Sequence, residues 1–153
     1  SVLYYGGFVE GWAMYAELSS YDYAAGLAQE QHPEAADYYL LCRLDRQIQL
    51  CLYALLDLFI HYDGATLEDV CEVLSSFGST NTRTMEAVYS YIAEEPCNYP
   101  KYYLGYLEIM ELKKQAAALW GDNDSAFLYR FHCFLLENGP ADFGTLSTLL
   151  PEY

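Results

Sequence analysis

The stretch EAADYYLLCRLDRQIQLCLYALLDLFIHY, Glu34 to Tyr62, decides the fold class. Its apolar residues recur at three- and four-residue intervals, and no glycine or proline interrupts it. It predicts a helix of about 29 residues, roughly 43 Å long at 1.5 Å per residue. Its second half is apolar nearly all round, which places it at the centre of a bundle. Pro33 suits the first turn, and Asp63-Gly64 ends the run.

The same period extends outward in both directions. Phe8 to about Glu30 carries Val9, Trp12, Ala13, Ala16 and Leu18 at helical spacing, and His32-Pro33 closes it. Thr66-Leu67-Glu68-Asp69 has the form of an N-cap with an acid three residues later. The short helix it opens stops at Gly78. Further helices are predicted over about 82–94, 101–119, 125–137 and 144–149. Pro96 and Pro100 bracket a bend, Gly121 stops the long segment, and Asp122-Asn123-Asp124-Ser125 forms a cap cluster. No strand alternation, repeat or linker divides the chain. The expectation is a single all-α domain of six or seven helices spanning residues 1–153.

Composition narrows the partners. The 153 residues are 54% hydrophobic and 19% charged, enough to bury a core. Seven Lys and Arg against 22 Asp and Glu give a net charge of −15. That balance argues against nucleic acid and anionic membrane surfaces, both of which select clustered cations. No apolar run reaches the ~18 residues of a membrane span. Five cysteines without a CxxC pair argue against a zinc knuckle or a thioredoxin-type site, and read as buried thiols. The chain begins without Met in an apolar stretch, which suggests a piece of a longer protein.

No complete catalytic motif is present: there is no HExxH, ExxH, phosphate-cradling glycine loop or GxSxG. Three partial constellations remain. In FVEGWAMYAE, Glu10 shares a helix face with Met14 and, one turn earlier, Gly6 and Gly7. Glycines there let another element approach closely. Glu10 is thus either a metal ligand for a site built elsewhere or a solvated acid. Asp57 and His61, four apart, interrupt the most apolar segment. A buried carboxylate needs a partner, and His61 is the near one; the pair is either chemical or a satisfied core pair. In EEPCNYPKYYLGYLE, Tyr99, Tyr102, Tyr103 and Tyr106 crowd one helix beside Gly105. Phenols there can donate to an oxyanion or simply pack. His132, in Phe131-His132-Cys133, reads as a core histidine.

FVEGWAMYAE, DLFIHYDGATLEDV, EEPCNYPKYYLGYLE and FHCFLLENGPADF, in this order, resemble the C-terminal part of the bacterial domain-of-unknown-function family 885. The resemblance runs from Tyr5 to about Leu149. It implies a zinc metallopeptidase of the HExxH-plus-glutamate type, in which an upstream helix carries two zinc-binding histidines and the general base. The acid of the EGWA segment, Glu10, is then the third zinc ligand. Two imidazoles and a carboxylate leave a fourth position for water and lower its pKa toward neutrality. The resemblance also implies substrate-side roles for His61 and Tyr102 in binding the carbonyl oxygen or the peptide end. Asp57 would orient that group, with Tyr99 and Tyr103 alongside. Tyr53 and Tyr103 stand where many members carry arginine and lysine, and Leu58-Phe59 where they carry Thr-Gly.

Both zinc histidines and the base are missing from the chain, so by itself it is expected to be inert and without zinc. Self-association is expected through the Tyr4-Tyr5 to Trp12 apolar face. Members often carry export signals, which implies an extracytoplasmic or envelope location. The rival reading is a stand-alone acidic helical interaction module in which Glu10 is a surface acid.

Overall fold

A computed structural model describes residues 4–121 and 125–153, which form seven α-helices and a closing 3-10 turn, with no strand among the described residues. The helices are α1 (Gly6–Ala28), α2 (Pro33–His61), α3 (Leu67–Ser76), α4 (Thr82–Glu94), α5 (Asn98–Trp120), α6 (Ser125–Asn138) and α7 (Phe143–Leu149). The all-α expectation holds, with one boundary corrected: α5 begins at Asn98 rather than near Lys101, and Pro100 lies in its first turn, where no N–H is needed. Pro33 occupies the first turn of α2. Thr66 and Asp69 close a reciprocal capping box on α3, with the Thr66 hydroxyl oxygen accepting from the Asp69 N–H and the Asp69 carboxylate accepting from the Thr66 N–H. Asn81 and Asp142 cap α4 and α7. Gly121 stops α5 at φ 88°, a conformation that suits glycine. The expected cap cluster at 122–124 lies outside the described residues.

Two apolar clusters hold the helices. The larger joins α1, α5, α6 and α7 through Phe8, Met14, Ile109, Phe131, Phe134 and Leu146. The smaller joins α2, α3 and α4 through Leu56, Ile60, Val70, Leu74, Met85 and Ile92. The central element is α5, which packs against α1, α2, α6 and α7. This corrects the expectation for α2. Its second half buries Leu50, Ala54, Leu56, Asp57 and Ile60 but leaves Ile48, Leu55 and Leu58 exposed. The all-round apolar pattern therefore records a second apolar face that the described residues do not cover.

Glycines explain why α5 is central. Gly7 and Gly11, one turn apart on α1, meet Gly105 on α5. A methyl group at Gly105 would overlap the Gly7 carbonyl oxygen and lie 3.0 Å from the Gly11 Cα, and one at Gly11 would overlap the Gly105 backbone. The two backbones therefore touch without intervening side chains, as small-residue spacing permits. Glu10 immediately precedes Gly11.

At the far end of the same cluster, Tyr15 and His132 are hydrogen bonded, with Oη and Nε2 3.0 Å apart, and Trp12 packs edge-on against the imidazole. His132 is the core histidine expected. Burial lowers its pKa below the ordinary value, and the Lys113 charge lowers it further. The unfolded chain therefore binds this proton first. The resulting stability is present above the unfolded pKa of about 6.5 and is lost as pH falls below it and through the lower folded value. The urea midpoint should drop between pH 7.5 and 5.5, and His132→Gln should flatten that drop. An unchanged slope in the variant would remove His132 as its source.

Candidate active-site wall

The contact between α1 and α5 fixes the first part of the site. With Gly7 and Gly11 seated on Gly105, Glu10 and Tyr102 come close enough for the carboxylate charge to act on the phenol. Burial raises the Tyr102 pKa first, and the Glu10 charge raises it further. The phenol therefore stays protonated, and remains a donor, well above neutral pH. Glu10 is half-buried and, among the described residues, forms no ion pair. A carboxylate that is partly desolvated, beside a phenol and without a cationic partner is suited to a cation brought from outside.

The second part is the start of α5. Cys97 takes the left-handed conformation at φ 62°, and its side chain does not cap the helix. The cap comes from α2. Asp57 is 1% exposed, and its two oxygens accept from the N–H groups of Cys97, at 2.9 Å, and Tyr99, at 3.1 Å. The Asn98 N–H bonds the Glu95 carbonyl, and Pro100 has no N–H to satisfy. A buried carboxylate is thus neutralised by two donors and by the positive end of the helix.

His61 is less closely tied to Asp57 than its spacing suggests. Nε2 lies 3.9 Å from the Asp57 carboxylate but 2.9 Å from the Ile92 carbonyl. A carbonyl only accepts, so Nε2 carries the proton and donates it there. The other ring nitrogen is left for a further partner, on a side chain about 24% exposed. Thus Asp57 holds α5 primarily, and His61 is oriented by α4.

The tyrosines divide. Tyr99 packs edge-on against Tyr53, with centroids 5.0 Å apart, and burial, followed by neighbouring Tyr53, raises its pKa. Tyr99 is also tied to Asp57 through its backbone N–H. Tyr103 turns away from them toward α2, where it meets Cys51 and Gln47. Tyr106 is buried in the larger core. Of the residues expected at a site, Glu10, Tyr102 and Tyr99 come together, Asp57 and His61 sit at the start of α5, and Tyr103 faces another surface.

Two features escaped the sequence. The Asp57–α5 latch joins residues forty and more apart, yet one signal pointed to it: the bend before α5 has no Ser, Thr or Asp at position 97 to cap the helix. The Tyr15–His132 bond left no local trace. The cavity of about 670 Å³ between α5 and α7 is lined by Lys101, Leu104, Glu108, Asp142 and Phe143, not by Glu10, Tyr102 or His61. The N-terminal apolar face is narrower than expected, because Tyr4 is exposed while Trp12 stacks on Tyr15.

Glu10 carries a carboxylate, a group of the type zinc accepts. Among the described residues no three His, Cys, Asp or Glu side chains converge to hold a metal. A zinc centre here would draw its imidazoles from other polypeptide. No helix among the described residues is long and apolar enough to cross a membrane.

A family model described as "Bacterial protein of unknown function (DUF885)" matches residues 1–150. No curated protein and no solved structure matches the chain.

Proposed function

We propose, for a chain that belongs to the bacterial DUF885 family, that it is the C-terminal helical part of the catalytic domain of a zinc-dependent peptidase. The observation that carries the reading is the half-buried Glu10 carboxylate, set next to the close-contact Gly11 and near Tyr102, with no ion-pair partner among the described residues. The ordered resemblance of four segments to a family of HExxH-plus-glutamate type supports it. Glu10 is the carboxylate ligand, and the two imidazoles and the general base come from an upstream helix. Bound zinc supplies a water acidified toward neutral pH and an electrophile for the peptide carbonyl.

The chain's own residues then do the following. Tyr102, kept protonated by its raised pKa, donates its single O–H as a hydrogen bond to negative charge developing on the substrate carbonyl oxygen. Asp57 fixes the turn of α5 that carries Tyr99 and Tyr102. His61, with Nε2–H donated to Ile92, presents its other nitrogen toward the peptide. The substrate is a peptide, and the acidic chain suits one with cationic character.

The test is chelator-sensitive peptide hydrolysis by the full-length protein. Tyr102→Phe should lower kcat/KM by roughly 10²–10³, the typical effect of losing one oxyanion donor. Hydrolysis unaffected by chelation, or unchanged in Tyr102→Phe, would contradict this assignment. The rival module reading predicts no HExxH-like helix encoded within about a hundred residues before Ser1.

A further inference from the structure

One face of α5 carries its charges in order. Lys101, Leu104, Glu108 and Glu111 stand three, four and three residues apart, so they form a row along the helix: a cation, an apolar residue and two acids. All four line the cavity of about 670 Å³ between α5 and α7, a volume within the roughly 300–1,000 Å³ of small-ligand sites. The other wall is largely apolar. Phe143 meets Tyr5 edge-on, with centroids 5.6 Å apart, and its ring lies 3.7 Å from the Cβ position of Gly7. The cavity thus has a positive end, an apolar middle and a negative end.

The two ends are open to a ligand. Lys101 is half-buried and, among the described residues, forms no hydrogen bond or ion pair. Its stem passes 3.6 Å from the Cβ position of Gly6, and its Nζ lies 5.7 Å from the Tyr102 ring centre, at the outer limit of a cation–π contact. Other cations are engaged: Arg43, Arg46 and Lys114 pair with acids, and Lys113 and Arg130 lie over aromatic rings. An ammonium without an acid partner stands out in a chain of charge −15. At the other end, Glu111 is shared with Lys114 and Gln115, and Asp142 caps α7. Glu108 forms no hydrogen bond or ion pair among the described residues. Lys101 and Glu108 are therefore the free poles.

Seven residues separate them, about 10 Å along the axis at 1.5 Å per residue. An extended lysine or arginine residue with a free α-carboxylate has the matching order of groups: anion, alkyl stem, cation. An acidic ligand would meet Glu108 and Glu111, and a cation without a carboxylate would leave Lys101 unpaired.

We propose that the α5–α7 cavity binds a basic residue bearing a free α-carboxylate, as the free amino acid or as the C-terminal end of a peptide. The carboxylate accepts from Lys101 Nζ, the stem lies along Leu104 and Phe143, and the cationic head donates to Glu108. None of Glu10, Tyr102 and His61 lines this cavity, so the site does not depend on the zinc reading.

Isothermal titration of the full-length protein with acetyl-Ala-Ala-Lys, its C-terminal amide and acetyl-Ala-Ala-norleucine tests the assignment. The amide and the norleucine peptide should each bind at least about tenfold more weakly, the order of one hydrogen bond to a charged group. Lys101→Met should abolish the preference for acid over amide and keep that for lysine over norleucine. Glu108→Gln should do the reverse, and Lys101→Arg should keep both. Both positions lie outside the apolar clusters, so the variants should fold, which circular dichroism checks. Free lysine distinguishes the sources: affinity equal to the tripeptide's assigns the site to the amino acid, and affinity at least about tenfold weaker assigns it to a peptide end. Glu10→Gln should bind acetyl-Ala-Ala-Lys as the wild type does, whatever its zinc content. Equal affinity for the three peptides, no binding at millimolar peptide, or selectivity unchanged in Lys101→Met and Glu108→Gln would overturn the proposal. So would loss of binding in Glu10→Gln, which would move the ligand to the candidate wall.

Discussion

Gly105→Ala is expected to destabilise the protein by about 3 kcal/mol or more, the upper range for overpacking, because the added methyl meets backbone that no rotamer change can move. At this size the loss corresponds to roughly 6–12 °C in Tm. The intrinsic helix preference for alanine, about 1 kcal/mol, works in the opposite direction and is outweighed. The helices must separate, and since Glu10 immediately precedes Gly11, the carboxylate moves away from Tyr102. Gly26→Ala is the control. Gly26 lies in α1 with open space around its Cβ position, so alanine there should be neutral or stabilising by up to about 1 kcal/mol. Thermal or urea unfolding of the pair decides the matter. Equal effects at the two positions would mean that the close contact does not hold the helices together.

Asp57→Ala is expected to cost about 3–5 kcal/mol, since it removes an ionised acceptor from two N–H groups in a buried place. Asp57→Asn, which keeps the shape but turns an N–H₂ toward one of the donors, should cost about 2–3 kcal/mol. The loss is not confined to stability. The latch lies one turn before Tyr102, so freeing the start of α5 loosens the phenol near Glu10. Hydrogen exchange should show the increase first at residues 97–102, ahead of the remainder of α5. Uniform acceleration over the whole chain would place Asp57 in the general core instead.

Much of the fold was readable from local chemistry. Pro33, the Thr66–Asp69 box, Gly78 and Gly121 mark helix ends within a residue or two because caps and stops act on adjacent backbone. The depth of α2 was misread for a definite reason. Hydropathy reports that a face avoids water, not which partner covers it, and Ile48 and Leu55 satisfy the pattern while remaining open here. The central position of α5 depended on Gly105, whose importance lies in the distance to Gly7 and Gly11 on another helix.

The site followed the same division. Glu10 stood out because glycine flanks an acid in an apolar stretch, and Gly105 signalled close approach. Asp57 was recognised as needing a partner, but sequence spacing favours neighbours and pointed to His61. The partners were backbone N–H groups of Cys97 and Tyr99, which no spacing rule reaches. The separation of Tyr103 from Tyr102 follows from the 100° step between successive helix positions, which puts one phenol beside Glu10 and the other beside α2.

The most direct measurement is the zinc stoichiometry of the full-length protein and its Glu10→Gln variant, purified alike and dialysed against metal-free buffer. The substituted amide keeps the shape but lacks the anionic oxygen. The wild type should retain about one zinc per chain and the variant well under a tenth of that, with helicity unchanged. Equal occupancy in the two proteins, or no zinc in either, would contradict the assignment of Glu10 as a ligand.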